Sequence, residues 1–208
     1  MADLIIKPAN PAPLGLVAFG LTTVVLSSIN AGLVPKDAVT VVVPLAFAFG
    51  GLGQIIAGAM EFRNGNTFGT VAFSSFGLFW WWYAFLQWTI GAGWLKAGPG
   101  LGTGLGVALF MWGVFTLYMW VSTFRSNLGL FLVFLTLWLT FFLLAGGEMG
   151  AGTTAIGGYM GLASGLLAMY VSFAEVTNAT FNRVVIPLGR QILGPEPTPA
   201  PSPRVQAE

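Results

Sequence analysis

Charged residues divide the chain into long uncharged stretches. Six such intervals lie between Lys7 and Lys36, Asp37 and Glu61, Arg63 and Lys96, Lys96 and Arg125, Arg125 and Glu148, and Glu148 and Glu175. Each is longer than the ~20 apolar residues that a helix needs to cross about 30 Å of hydrocarbon. A transmembrane β-barrel would instead show alternating segments of about 10 residues, whereas Leu128 to Ala145 is apolar on every side. We predict an all-α polytopic membrane protein with six transmembrane helices.

The predicted helices cover residues 13–31, 38–60, 67–90, 105–124, 128–145 and 155–174. We expect a cytoplasmic segment over residues 1–12, a membrane domain over 13–178, an interfacial and helical segment over 179–193 and a flexible Pro-rich tail over 194–208. The loop from Gly91 to Gly102 contains Pro99 and several glycines, so we expect it to lack regular structure. The first helix is longer than a signal-peptide h-region, so we expect it to be retained.

Lysine and arginine in the short connections predict the orientation, because they accumulate on the cytoplasmic side. With six spans, one side receives Lys7, Arg63, Arg125, Arg183, Arg190 and Arg204, and the other receives Lys36 and Lys96. This imbalance predicts that both termini lie in the cytoplasm.

Composition agrees with the pattern and excludes other classes. Only 7% of the residues are charged and 56% are hydrophobic, against about 25% charged in an ordinary soluble domain. The formal net charge of +1 offers no electrostatic footprint for a nucleic acid. The chain has no cysteine and no histidine, so the usual bases and metal ligands of intramembrane enzymes are missing. We therefore expect no enzyme activity, no cofactor and no metal, which leaves a passive or gated conduit.

Glycines and neutral polar residues mark contact surfaces within the spans. Gly157, Gly161 and Gly165 form two overlapping G-x-x-x-G units, which indicate close helix packing either inside the protomer or between subunits. Gln54 carries a primary amide inside the second span, so it should face a neighbouring helix or a wet cavity.

Several sequence blocks carry a resemblance to a known family. Asn10 to Leu16 reads N-P-A-P-L-G-L, and Phe19-Gly20-Leu21-Thr22-Thr23 follows. Later blocks are Gln54-x-x-Ala57-Gly58-x-x-Glu61, Gly65-Asn66-Thr67-Phe68-Gly69, Trp112-Gly113-Val114-Phe115-Thr116-Leu117, Glu175-Val176-x-Asn178 and Pro187-Leu188-Gly189. Over residues 8 to 190 the chain resembles the acetate and succinate uptake permease family.

The resemblance implies a homohexamer of six-helix protomers with a substrate path through each protomer. It also implies a narrow point made by side chains from helices one, three and five, at positions that match Phe19, Phe76 and Leu137. At Phe76 this sequence lacks the hydroxyl of the family's tyrosine. The three positions lie at similar distances in the chain beyond Lys7, Arg63 and Arg125, and at ~1.5 Å per residue this spacing places them near the middle of the bilayer.

We interpret the chain as a transporter of acetate or another small carboxylate, including succinate, in the cytoplasmic (inner) membrane. The expected substrate-binding residues are Thr22, Thr23, Gln54, Asn66, Thr67 and Trp80. The expected cytoplasmic mouth is formed by Asn10, Pro11, Pro13, Leu14, Gly15 and Glu61. An alternative is a channel for a neutral solute such as urea, ammonia or water. A third is a non-conducting scaffold or acetate receptor.

Overall fold

A computed structural model describes residues 8–194, and in this part of the chain all regular structure is helical. The helices are α1 Ala12–Asn30, α2 Val39–Leu45, α3 Gln54–Arg63, α4 Thr67–Gly91, α5 Leu101–Ser122, α6 Leu128–Glu148 and α7 Thr154–Phe181. The remaining residues, including nearly all of the predicted 194–208 tail, lie outside the described part.

Helices α2 and α3 are two parts of one span that runs over Lys36–Arg63. The span begins with a 3₁₀ turn at Lys36–Ala38, and a π-helical stretch, Ala46–Gly53, joins α2 to α3. Pro44, at the end of α2, cannot donate a backbone N–H, which disturbs the regular helix. The indole of Trp81 packs against this stretch, and its Nε1 donates a hydrogen bond to the Phe47 carbonyl at 3.0 Å. The second predicted helix is therefore one span with a widened centre.

Five segments of the described chain are long and apolar enough to cross a membrane by length and composition. The remaining candidate, α4, has 25 residues and no charged side chain. At ~1.5 Å per residue it also exceeds the ~30 Å of hydrocarbon. Its tryptophans, tyrosine and serines lower its mean hydropathy while leaving it apolar enough to pack in the bundle. With α4 the fold has the six predicted spans.

The six spans form a ring in the order α1, α2–α3, α4, α5, α6 and α7. The most extensive contacts join α1 to α7, α7 to α6 and α6 to α5, while α4 and α5 contact each other least. Successive spans run in opposite directions, so each end of the ring carries three helix starts and three helix ends.

The chain after α7 differs from the prediction. Helix α7 continues to Phe181, beyond the predicted end, but the rest of the 179–193 segment is not helical. Asn182 closes the helix with a left-handed φ of 50°. The Asn178 side chain then binds the backbone of Val185 and Ile186, and Pro187 cannot continue a helix. The prediction of a helix over this segment was wrong because these local hydrogen bonds replace the helical ones.

The glycine face of α7 packs inside the protomer. A Cβ at Gly161 would overlap the Ser27 side chain of α1, and a Cβ at Gly165 would come within 2.8 Å of the Gly20 carbonyl. Gly157 faces Leu144 of α6 in the same way. Of the two readings of this motif, the structure supports helix packing, and the reading as a subunit interface was wrong for these three glycines.

Candidate functional site: a cavity closed by an apolar floor

A cavity of ≈510 Å³ lies inside the ring of helices and reaches one end of it. Its walls come from the second halves of α1, α4 and α6 and from the first turns of the other three spans. This end of the ring is the one opposite the N-terminal end of α1 and the C-terminal end of α7. The lining residues used below are Phe19, Thr23, Lys36, Phe76, Phe79, Trp80, Tyr83, Leu137, Phe141 and Glu148.

The predicted narrow-point residues lie together at the floor of this cavity. The lining residues farthest from the mouth are Phe19 on α1, Phe76 on α4 and Leu137 on α6. Their side chains are 6%, 3% and 3% exposed. The ring centroids of Phe19 and Phe76 are 6.0 Å apart. The structure therefore places all three side chains around the same cavity, where an apolar floor can block water and ions by dewetting.

Phe76 lies within a cluster of aromatic rings. Its ring centroid is 5.4 Å from that of Phe115, 6.0 Å from Trp112, 6.1 Å from Phe134 and 6.4 Å from Phe141. A side chain without a hydroxyl suits this apolar surrounding, because a buried hydroxyl without a partner is unfavourable.

Sequence reasoning missed the aromatic residues directly above the floor. Phe79 and Phe141 line the cavity and pack edge to face, with centroids 5.3 Å apart. A signal for them existed, because residues three or four positions apart share a helix face. Phe79 follows Phe76 by one turn on α4, and Phe141 follows Leu137 by one turn on α6.

Two of the predicted substrate-binding residues line the cavity with unused hydrogen-bonding atoms. Thr23 is 5% exposed and Trp80 is 3% exposed. The Thr23 Oγ1 and the Trp80 Nε1 are both buried without a hydrogen-bond partner. An unpaired buried donor is costly, and both side chains line the cavity, so a small rotation that turns either atom toward a ligand or a water molecule there would give it a partner.

Thr22 and Gln54 do not reach the cavity. Thr22 is fully buried, and its hydroxyl donates to the Ala18 carbonyl at 2.8 Å. Gln54 is 1% exposed at the start of α3, and its Oε1 has no partner. Of the two environments considered for Gln54, the structure shows tight helix packing.

Asn66 and Thr67 lie at the opposite end of the ring from the cavity, and both are exposed. Asn66 caps α4, because its Oδ1 accepts from the Gly69 N–H at 3.1 Å. Its Nδ2 donates to Glu61 Oε2 at 2.9 Å. The floor residues separate these groups from Thr23 and Trp80.

Glu61 and Asn10 make separate polar contacts at this opposite end. Glu61 is 2% exposed, and its second carboxylate oxygen has no partner. Asn10 donates to Glu175 Oε2 on α7 at 3.1 Å and accepts from the Ala12 N–H at 3.0 Å. The contact of Asn10 with Glu175 joins the start of α1 to the end of α7.

The proline-containing motif starts α1 and packs it on its neighbours. Pro11 stands at the N-cap, where its missing N–H costs nothing, and the Pro13 carbonyl accepts from the Ser172 hydroxyl at 2.7 Å. Gly15 is required for a close approach, because a Cβ there would come within 2.5 Å of the Phe73 ring. Leu14 is 36% exposed. All of these predicted mouth residues therefore lie at one end of the ring.

A family model described as the GPR1/FUN34/yaaH family matches residues 5–190. The chain belongs to this family. The match spans the six helices and the segment that follows them, and it confirms the family that the N-terminal motif and the later blocks had indicated.

Named relatives and a solved structure agree with this placement. The chain is 41% identical to the succinate-acetate/proton symporter SatP of Escherichia coli K12, over 88% of this chain and 96% of that protein. It is 37% identical to the ammonia transport outward protein 2 of Saccharomyces cerevisiae, over 86% of this chain and 66% of that protein. The structure of the bacterial acetate channel SatP matches with a TM-score of 0.83 and 39% identity, covering 88% of this chain and all of the other. The predicted helical membrane fold is thus confirmed.

Proposed function

We propose that this protein conducts acetate and related small carboxylates, including succinate, across the cytoplasmic membrane, and that it is not an enzyme. The path runs from the cavity mouth, past Thr23 and Trp80, through the floor of Phe19, Phe76 and Leu137, to the mouth around Asn10 and Glu61. The excess of basic residues on one side supports an orientation with both termini in the cytoplasm and the cavity facing outward. The family resemblance supports a homohexamer.

One observation carries this proposal: the cavity holds buried and unused donors directly above an apolar floor. The Trp80 indole can only donate a hydrogen bond, and the Thr23 hydroxyl can donate one as well. A carboxylate only accepts hydrogen bonds, so it complements this pair, and a small carboxylate presents its methyl group to Phe19 and Phe76. The similarity to a succinate-acetate/proton symporter and to a bacterial acetate channel supports small carboxylates as the substrate class.

Ammonia conduction is a second candidate, because one relative is named for ammonia transport. Ammonia accepts one hydrogen bond through its single lone pair and needs acceptors for its own N–H groups, and the Trp80 Nε1 is not an acceptor. Ammonia could therefore use only one of the two donors at a time, whereas a carboxylate can accept from both. The donor pattern consequently favours the carboxylate.

The test is uptake of labelled acetate into proteoliposomes by variants that lose one donor and keep their shape. Trp80→Phe and Thr23→Val should each raise the KM for acetate about tenfold, because a hydrogen bond to a charged group contributes about 1.5 kcal/mol or more. Trp138→Phe is the matched control, since the Trp138 Nε1 is also buried and unpaired but lies outside the cavity.

Two results would contradict the proposal. One is uptake of labelled methylammonium or urea with no acetate uptake, which would favour the neutral-solute channel. The other is the absence of any acceleration of solute equilibration by the wild-type protein, which would favour a receptor or scaffold.

A further inference from the structure

The cavity mouth carries two charges of opposite sign. Lys36 and Glu148 are the charged residues among those lining the cavity in the described chain, and both are exposed. Every deeper lining residue is uncharged. No ion pair joins Lys36 to Glu148 within the part of the chain that the structure describes, so each charge acts on the space between them.

The two charges stand on opposite walls. Lys36 begins the span of α2 and α3, and Glu148 is the last residue of α6. In the six-membered ring of spans these two elements are three positions apart, and they make no packing contact with each other. Tyr83 on α4 lies within electrostatic reach of Glu148, which agrees with a carboxylate that faces the cavity.

Neither charge stabilises its own helix. The N-terminal end of a helix carries a partial positive charge and the C-terminal end a partial negative charge. Lys36 is at the start of its span and Glu148 is at the end of α6, so each side chain has the same sign as the helix end that bears it. A structural role on the helix itself does not account for these two residues.

We propose that Lys36 and Glu148 act as a charge filter that favours monocarboxylates over dicarboxylates at the cavity mouth. Lys36 attracts a carboxylate to one wall of the mouth. A monocarboxylate then leaves the opposite wall unoccupied. A dicarboxylate such as succinate extends its second carboxylate across the mouth toward Glu148, where like charges repel. This inference rests on the proposed function.

The size of the effect follows from Coulomb's law in a solvated mouth. A unit charge at ~4 Å changes the affinity for a monoanion about fivefold in water. In the bound geometry only one carboxylate of a dianion lies near each wall, so the loss of Lys36 weakens acetate and succinate by about the same factor, whereas the loss of Glu148 changes chiefly the affinity for succinate. A general structural defect would not separate the two substrates in this way.

The experiment measures KM for labelled acetate and labelled succinate in proteoliposomes at pH 7 and low ionic strength. Lys36→Gln should raise the KM for acetate and that for succinate by about the same factor, roughly fivefold. Glu148→Gln should lower the KM for succinate about fivefold and change that for acetate little, so that succinate gains relative to acetate. Both effects should shrink as salt is added, because salt screens exposed charges.

Matched controls remove a nearby charge that does not line the cavity. Asp37→Asn changes the next residue in the same 3₁₀ turn, and Lys96→Gln changes a loop lysine. Both controls should leave the succinate-to-acetate ratio of KM values unchanged. The charge filter is overturned if Glu148→Gln leaves that ratio within twofold of the wild type, if Lys36→Gln leaves the KM for acetate within twofold, or if the controls produce the same changes. Absence of acetate uptake by the wild type would instead reject the proposed function itself.

Discussion

Leu137 offers the sharpest test of the cavity floor. Leu137→Ala removes three carbon atoms from a side chain that is 3% exposed and lies at the closed end of the cavity. Lactate has two more heavy atoms than acetate, so the space that this substitution opens matches the size difference between the two substrates. One methylene in an apolar pocket changes discrimination by about 1 to 3 kcal/mol, or roughly 10- to 200-fold. We expect the lactate-to-acetate flux ratio to rise about tenfold.

The same substitution also weakens packing, and the assay must separate the two effects. A buried Leu→Ala change costs about 2 to 5 kcal/mol of stability, and a partly unfolded preparation transports less of every substrate. Leu16→Ala is the matched control, because Leu16 is 4% exposed, loses the same atoms and does not line the cavity. Labelled acetate and lactate are therefore supplied together to proteoliposomes, and the flux ratio is measured in each variant.

The reasoning is refuted by either of two results. If Leu137→Ala transports acetate normally with an unchanged lactate-to-acetate ratio, Leu137 does not limit the passage. If Leu16→Ala raises the ratio as much as Leu137→Ala does, loosened packing explains the change and the position of the floor does not.

Three more predictions concern packing, assembly and the permeant species. Gly158→Ala would place a Cβ against the Ala31 backbone, so we expect overpacking to lower the free energy of unfolding by about 1 to 3 kcal/mol. The unfolding temperature in detergent should fall accordingly. Gly104→Ala is the control, because a Cβ there meets open space and should not destabilise the protein. Native mass spectrometry should show six copies of the unmodified chain, and a monomer would contradict the hexamer. Acetate uptake should accelerate at mildly acidic pH with little net current, because the neutral fraction of a carboxylic acid of pKa about 4 rises roughly tenfold for each pH unit of acidification above that value and the neutral acid crosses an apolar floor at lower cost. A sizeable acetate current that is insensitive to pH would identify an anion channel.

Attraction of the anion by Lys36 and passage of the neutral acid are compatible, because the first acts at the mouth of the cavity and the second at its floor. A carboxylate anion is attracted by Lys36 at the exposed mouth, where water still surrounds it. The floor residues Phe19, Phe76 and Leu137 are apolar, and Lys36 lies at the mouth, so an anion would lose its hydration at the floor without compensation. We expect the substrate to take up a proton from water in the mouth, so that the neutral acid crosses the floor.

The number and type of helices follow from the sequence because they depend on local composition. In lipid every backbone group must be hydrogen-bonded within the protein, which permits helices or closed β-barrels, and long apolar intervals without alternating polar residues leave only the helix. The depth of the floor residues is equally local, because rise per residue and the nearest charge determine it. The N-terminal motif indicated the family. Its prolines suit the start of α1, whereas its Gly15 meets a tertiary demand, the close approach of α1 to Phe73 of α4.

The rotation of each helix about its axis depends on contacts between distant segments, and only the tertiary structure reveals it. Thr22 and Thr23 are neighbours in the sequence, yet Thr23 lines the cavity and Thr22 bonds its own helix. The glycine face of α7 could have packed within the protomer or between subunits, and the approach of Gly20 to Gly165 shows that it packs within. In the sequence, Lys36 and Glu148 only mark the ends of apolar intervals. They come to lie on opposite walls of the cavity mouth because the six spans close into a ring. Composition determines whether a helix spans the membrane, but the side chains of its neighbours determine which way it faces.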